Sequence, residues 1–308
     1  MASPSRSRAC RTTPCVGRSA WRDRAFGARL ERAFDEHGQL CVGIDPHAFL
    51  LDAWGLGDDA AGLESFGRRV VEAAAGRVGV VKPQVAFFER HGSAGYLALE
   101  RVLADARAAG LLVIADVKRG DIGTSVTAYA EAWLRPGSPL EADAMTASAY
   151  QGLGSLDGML ELAEEAGKGV FVLAATSNPE AGPVQRALVQ DGEHAGSPLA
   201  SAVLADVASW NAHHARSPIG SIGVVLGATV ALGDYGIRTD TAPAPGLPVL
   251  APGFGHQGAG AADAPRLFGA LAATTLVSES RSVLGAGPDG IAAEIDRRAR
   301  DIQETLVR

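Results

Sequence analysis

Lysine is nearly missing from this 308-residue chain: of 28 basic side chains 25 are arginine, and the lysines are Lys82, Lys118 and Lys168. Where positive charge alone is needed, this sequence uses arginine. The retained lysines are therefore candidates for tasks a guanidinium cannot perform, because arginine holds its proton in proteins whereas a lysine ammonium can release one. Cysteine is equally sparse. Cys10, Cys15 and Cys41 have neither CxxC spacing nor a companion histidine cluster, which argues against a disulfide framework and against a zinc site of the usual spacing. Cys41 lies in an apolar run and reads as a small core residue, and this usage suits a reducing cytoplasm. No apolar run approaches the roughly 18 residues of a membrane-spanning helix. Basic excess is absent too. The formal net charge of −7 disfavours nucleic acid, whose phosphates demand basic surface, yet it leaves room for a small anion in a locally positive pocket.

What is present is ordinary globular material, 47% hydrophobic and 20% charged, in a chain long enough to bury a substantial core. Residues 1–25 are rich in Arg, Ser and Pro, show no helical or strand period, and read as a disordered extension outside the fold. From Phe26 onward the pattern changes. Apolar strands are predicted at 40–45, 78–83, 111–118, 142–149, 169–177, 222–229, 248–254 and 274–282. Helical patterns are predicted at 60–76, 94–109, 124–134, 155–167, 197–215, 259–271 and 288–306, with at most a short helix near 230–237. Near-continuous apolar strands separated by helices indicate a parallel sheet covered by helices. Eight such units predict an α/β fold of the (β/α)8 TIM barrel type, as one domain over 26–308. A doubly wound open sheet is the alternative, but no GxGxxG follows the first strand.

The predicted strands share a habit of ending on polar residues: Asp45, Lys82, Asp116 with Lys118, Thr176-Ser177-Asn178, the turn Gly253–Gln257, and Ser280-Arg281. In a barrel these ends meet at one face, where active sites of this fold are built. Side chains two apart leave a strand on the same side, so Asp116 and Lys118 are expected to face one way. Asp121 falls at the start of the next helix, where a carboxylate is favoured by the helix dipole and can serve as a cap. With Lys82 from the adjacent strand they make an alternating array, Lys82–Asp116–Lys118–Asp121, in which every charge has an opposite neighbour and stays ionised despite burial. Such an array suits a reaction in which a carboxylate departs and a carbanion is protonated where it forms. On the other side, the Gly-rich turn around Gly255, the amide of Gln257 and the fork of Arg281 make a phosphate site after strands seven and eight.

These residues carry a resemblance. DVKRGDIGTS matches the Asp-x-Lys-x-x-Asp signature of the orotidine 5′-monophosphate (OMP) decarboxylases, and VKPQ, ATSNPE and PGFGHQG are similar to the longer bacterial branch of that family, from Phe26 to about residue 306. The resemblance implies decarboxylation of OMP to UMP in pyrimidine biosynthesis, with no metal and no organic cofactor. It implies that Lys118 protonates C6 of the pyrimidine and that Asp116 lies against the departing carboxylate. Lys82 and Asp45 are then expected at the ribose hydroxyls. Asp121 and Thr124 are expected to reach the neighbouring site of a homodimer. Ser177 is expected to read the pyrimidine edge, with Thr176 and Asn178 left open, and Gln257 and Arg281 to hold the 5′-phosphate. Residues 178–196 depart from the shorter members and resemble a loop or lid. Two other readings compete. A metal-dependent sister barrel (hexulose-phosphate synthase or keto-gulonate-phosphate decarboxylase) would carry a carboxylate where Lys82 stands. A non-catalytic phosphate-binding barrel would have little use for two lysines among carboxylates.

Overall fold

The alternation of strand and helix closes on itself in the computed structural model, which describes residues 24–306. The strands are β1 (Leu40–Ile44), β2 (Val80–Pro83), β3 (Leu112–Arg119), β4 (Ala144–Ala147), β5 (Gly169–Ala175), β6 (Ile222–Leu226), β7 (Val249–Pro252) and β8 (Thr275–Glu279). Each pairs in parallel with the next, and β8 returns to β1 with Leu40 opposite Val277 and Val42 opposite Glu279. All eight predicted strands are present; seven lie within the predicted bounds, and β3 runs one residue further, to Arg119. The strand residues are almost entirely buried because one face fills the barrel and the other lies under helices.

Two apolar cores result. The barrel interior is filled by Cys41, Val80, Ile114, Ala144, Phe171, Val225, Leu250 and Leu276. At its N-terminal end it is closed by a helix absent from the predicted set, α1 (Phe26–His37), which contributes Phe26, Leu30 and Ala33. The i, i+4, i+7 spacing of those three is the amphipathic signal for it. Ala25 is already buried at its start. The expected disordered extension otherwise lies outside the described residues. Between barrel and outer helices, a second and larger core gathers residues such as Leu63, Phe66 and Val70 of α2 (Ala60–Ala74), whose N-terminus is capped by the Asp59 carboxylate accepting from Gly62 N–H at 2.8 Å.

One helix differs from expectation. The 259–271 pattern is broken into 3₁₀ turns at Ala261–Asp263 and Gly269–Thr274 around a short α segment, Ala264–Phe268. Pro265 is tolerated only at a helix start. Gly269 has φ 50°, and a Cβ there would lie 2.1 Å from Thr239 O. The third lysine, Lys168, sits just before β5 at the end of the barrel opposite the polar strand ends. It is buried, with Nζ 2.8 Å from Glu141 and 3.6 Å from Asp143. Asp143 also accepts from Arg29 at 2.5 Å and from Val113 N–H at 2.9 Å. Asp143, shared by Arg29 and Lys168, therefore ties α1 to the starts of β4 and β5 at the closed end.

Candidate active site

The ends of β2, β3 and β4 converge on one carboxylate. Asp116 Oδ2 accepts from Lys82 Nζ at 2.9 Å and from Gln84 Nε2 at 3.0 Å. Its Oδ1 accepts from Lys118 Nζ at 2.6 Å and from Thr146 Oγ1 at 2.9 Å. Lys82 and Asp116 are only 6% and 8% exposed, so this charge pair is desolvated. Burial alone would raise the Asp116 pKa, but the ammonium groups of Lys82 and Lys118 outweigh it and hold the carboxyl well below its usual range. Burial likewise opposes the charge on Lys82, and Asp116 and Asp45 together overcome it and raise the ammonium pKa. The thiol of Cys41 just beneath, buried and denied solvent, is pushed up to about 12.

The backbone reaches this arrangement by an irregular route rather than by simple strand alternation. Ala115 pairs with Met145 and Arg119 with Ala147. Residues 116, 117 and 118 therefore stand opposite Thr146 alone, forming a bulge of the kind found beside active sites. Among the described residues Lys118 is the one non-glycine with positive φ, at 49°, a conformation costing a residue with a Cβ about 1–2 kcal/mol. Thr146 fills the gap in the ladder: its hydroxyl accepts the Lys118 N–H at 2.9 Å while donating to Asp116. Gly120, next along, is required by close approach, since a Cβ there would lie 2.1 Å from Ser148 O. Residue type gives no hint of Thr146 in the sequence. Gln84 is legible, because it follows Lys82 by two in VKPQ and so shares its face.

Asp121 does not complete the four-membered array within one chain. Its Oδ1 accepts from Ile122 N–H at 2.8 Å, and it is not the cap of the helix that follows, Gly123–Leu134. Thr124 is exposed beside it. Two large apolar side chains stand out at this rim, Ile122 at 62% and Tyr150 at 82% exposure.

Across the mouth, Asp45 Oδ2 accepts from Ser280 Oγ at 2.6 Å, while its buried Oδ1 has no hydrogen-bond partner. A buried acceptor left unsatisfied is costly, and this oxygen carries that cost at the mouth of the barrel. Arg281 begins the short helix Arg281–Leu284, and among the described residues no carboxylate pairs with it. Partial burial holds His47 below the usual imidazole range, with Asp45 opposing and Arg281 reinforcing the shift. His47, Asp45 and Arg281 are thus near neighbours. At the end of β5, Thr176 Oγ1 donates to Asn178 at 2.8 Å and accepts from Gln185 at 2.9 Å. Thr176 and Asn178 are thereby engaged with each other, and Ser177 is the exposed residue between them. Residues 178–196 contain a helix at Ala181–Gln185, and Leu188 bridges to Pro198 just beyond them.

The glycine turn needs a correction. Gly255 does not offer a spare N–H to an anion, because it donates to Ala259 O at 2.8 Å. Its φ of 68° and the closeness of a would-be Cβ to Ser282 Oγ, 2.5 Å, make it the residue that lets the loop fold tightly over β8. The side chain of Gln257 lies outside what the structure describes. Among the described residues, no group of three or more His, Cys, Asp or Glu side chains is placed to hold a metal ion.

A closed (β/α)8 barrel with an ammonium–carboxylate–ammonium cluster at the C-terminal ends of its strands carries its charged residues where barrel enzymes build their active sites. Comparison with known proteins narrows the class. Residues 38–294 match the orotidine 5′-phosphate decarboxylase / HUMPS family, and the chain belongs to it. It is 52% identical over 284 residues to the orotidine 5′-phosphate decarboxylase of Streptomyces coelicolor, spanning 91% of this chain and 98% of that one. With the enzyme of the same name from Nocardioides sp. it shares 56% over 259 residues, 84% and 91% of the two chains. A crystal structure from Streptomyces avermitilis assigned to the same enzyme superimposes with a TM-score of 0.85 at 50% identity, covering 92% of this chain and 96% of that one. OMP decarboxylase from Leishmania donovani gives 0.72 at 28% identity, covering 92% and 99%.

Proposed function

We propose that this chain decarboxylates OMP to UMP, with Lys118 as the proton donor. The observation that carries the reading is Asp116 held between two ammonium groups, one of them on a backbone in the left-handed region. The C6–carboxylate bond of the substrate breaks, CO₂ leaves, and the electron pair remains at C6. The ammonium of Lys118 stabilises that charge and then transfers a proton to C6, regaining one from water afterwards. Asp116 stands where the substrate carboxylate arrives and keeps Lys118 aimed. Its own charge is balanced by Lys82, so the site can carry it without losing ionisation. Two groups meet the ribose hydroxyls: the unsatisfied Oδ1 of Asp45 and the Lys82 ammonium. Arg281 receives the 5′-phosphate together with Gln257, and Ser177 reads the pyrimidine edge. Three scattered cysteines suit work in a reducing cytoplasm.

The chain acts as a homodimer in this reading, with Asp121 and Thr124 completing the neighbouring site. The exposed Ile122 and Tyr150 flank those residues, and apolar side chains so exposed at a functional rim favour coverage by a second copy.

The test is UMP formation from OMP in the presence of EDTA, repeated with Lys118→Ala. Activity that survives EDTA and is lost in the variant is expected. Inertness toward OMP, or dependence on added divalent metal, overturns the assignment. For the shared site, inactive Lys118→Ala and Asp121→Ala chains are mixed and re-equilibrated. Hybrid dimers then contain one intact site, and activity returns. Continued inactivity of the mixture refutes the exchange of Asp121.

A further inference from the structure

The bulge that delivers Lys118 has to be held from both sides, and one side chain is in contact with both. Arg119, the next residue, directs Nη1 back to Val117 O at 3.2 Å. It gives Nη2 to the carboxylate of Glu89, at the end of the short helix Ala86–Glu89 after β2. Glu89 accepts at the same oxygen from Tyr96 Oη at 2.6 Å, and the Arg119 guanidinium lies 5.9 Å from the centre of the Tyr129 ring. Its own carbonyl accepts from Ser148 N–H at 2.8 Å, where pairing with β4 resumes. We propose that Arg119 is a positioning residue that staples the backbone across Lys118, and that Glu89, braced by Tyr96, anchors the staple.

This rests on the reading of Lys118 as proton donor. An exposed ion pair contributes little to stability, and with Arg119 and Glu89 side chains 26% and 32% exposed, the pair's value lies in geometry. The staple joins the two loops that bring Gln84 and Lys118 to the same carboxylate. Only a fork can do this: one nitrogen on the carbonyl before Lys118 and another on a fixed carboxylate across the gap. Without it Val117 and Arg119 are no longer held by one group. The residue between them is then free to relax toward ordinary φ, which moves its ammonium from Asp116 Oδ1. A displacement on the order of 1 Å in a reacting group can lower turnover about 100-fold.

The full-length chain is tested as Arg119→Met, Arg119→Lys, Glu89→Gln and Lys118→Ala, with kcat and KM for OMP, UMP affinity and thermal midpoint measured for each. For Arg119→Met, kcat is expected to fall by about 30-fold or more, with KM and UMP affinity within about threefold and the midpoint nearly unchanged. Arg119→Lys keeps the charge but not the fork and stays impaired. Glu89→Gln, still able to accept both hydrogen bonds, retains more turnover than either. Adding Arg119→Met to Lys118→Ala causes no further loss, because the staple acts only through the lysine. The proposal is overturned if Arg119→Met turns over within threefold of the native chain, if Arg119→Lys is fully active, or if kcat, affinity and midpoint fall together. A Lys118→Ala chain with native turnover instead removes the proton-donor role, whatever the Arg119 variants do.

Discussion

Asp116→Asn is the sharpest single perturbation of this site. The native carboxylate accepts four hydrogen bonds, two from ammonium groups and two from neutral donors. An asparagine offers one oxygen and places an NH₂ where the other was, so two of the four donors meet a donor instead of an acceptor. In one orientation the stranded group is Lys82, with Gln84. In the other it is Lys118, with Thr146. Lys82 is almost fully buried and Lys118 is not, so the amide oxygen is expected to stay with Lys82 and Gln84. Lys118 and Thr146 then face an NH₂, and Lys82 still loses its full counter-charge. Breaking a buried ion pair from one side costs about 3–5 kcal/mol, a large share of the roughly 5–15 kcal/mol that holds a domain together. Urea unfolding of the native and Asp116→Asn chains measures the cost directly. Turnover should fall by at least about 100-fold, the scale on which loss of one preorganised electrostatic group is felt. A loss of stability below about 1 kcal/mol, the value of an ordinary exposed pair, would refute the claim that Asp116 is the hub that keeps both ammonium groups in place.

Other outcomes follow from the same geometry. Lys118→Ala removes the proton donor and should lower kcat by about 10²–10⁴-fold, while circular dichroism and thermal midpoint stay near native because the side chain is 44% exposed. Arg281→Ala should raise KM for OMP about 10- to 150-fold, the value of a lost charge-assisted hydrogen bond, with kcat falling less; an unchanged KM removes Arg281 from phosphate binding. Because the Asp116 carboxyl is held below its usual range, its contribution to stability is complete above the unfolded value of about 3.9 and is lost only as pH falls through the folded value. Lys82, raised in the fold, contributes below its unfolded value and loses that contribution only as pH rises through the folded one. The stability gap between native and Asp116→Asn chains should therefore be constant from about pH 5 to 9; a gap closing near pH 6 contradicts the assigned ionisation. Gly120→Ala should cost about 1–3 kcal/mol by overpacking against Ser148 and lower kcat, read from unfolding curves and initial rates.

Much of this architecture is written locally. Eight apolar runs, each too short for a helix and seven of them followed by a helical pattern, determine a helix-covered parallel sheet, because such strands cannot leave either face in water. The polar residues that end those runs determine where chemistry gathers, since parallel strands bring like ends together. Even α1 is legible in the spacing of Phe26, Leu30 and Ala33. Tertiary structure decided the rest. Whether Lys118 continues a regular strand or sits in a bulge depends on Thr146, a residue 28 positions away whose hydroxyl substitutes for a missing ladder partner. That Lys82 and Lys118 share Asp116 while Lys168 braces the far end depends on which end of the barrel each residue occupies. Gly255 looks in sequence like an anion-binding donor, but its N–H is claimed by Ala259 once the loop closes. A sequence states which groups a segment carries. Which of those groups remain unpaired is decided only when distant segments have taken their hydrogen bonds: among the described residues at this mouth, the buried Oδ1 of Asp45 has no hydrogen-bond partner and Arg281 has no carboxylate partner.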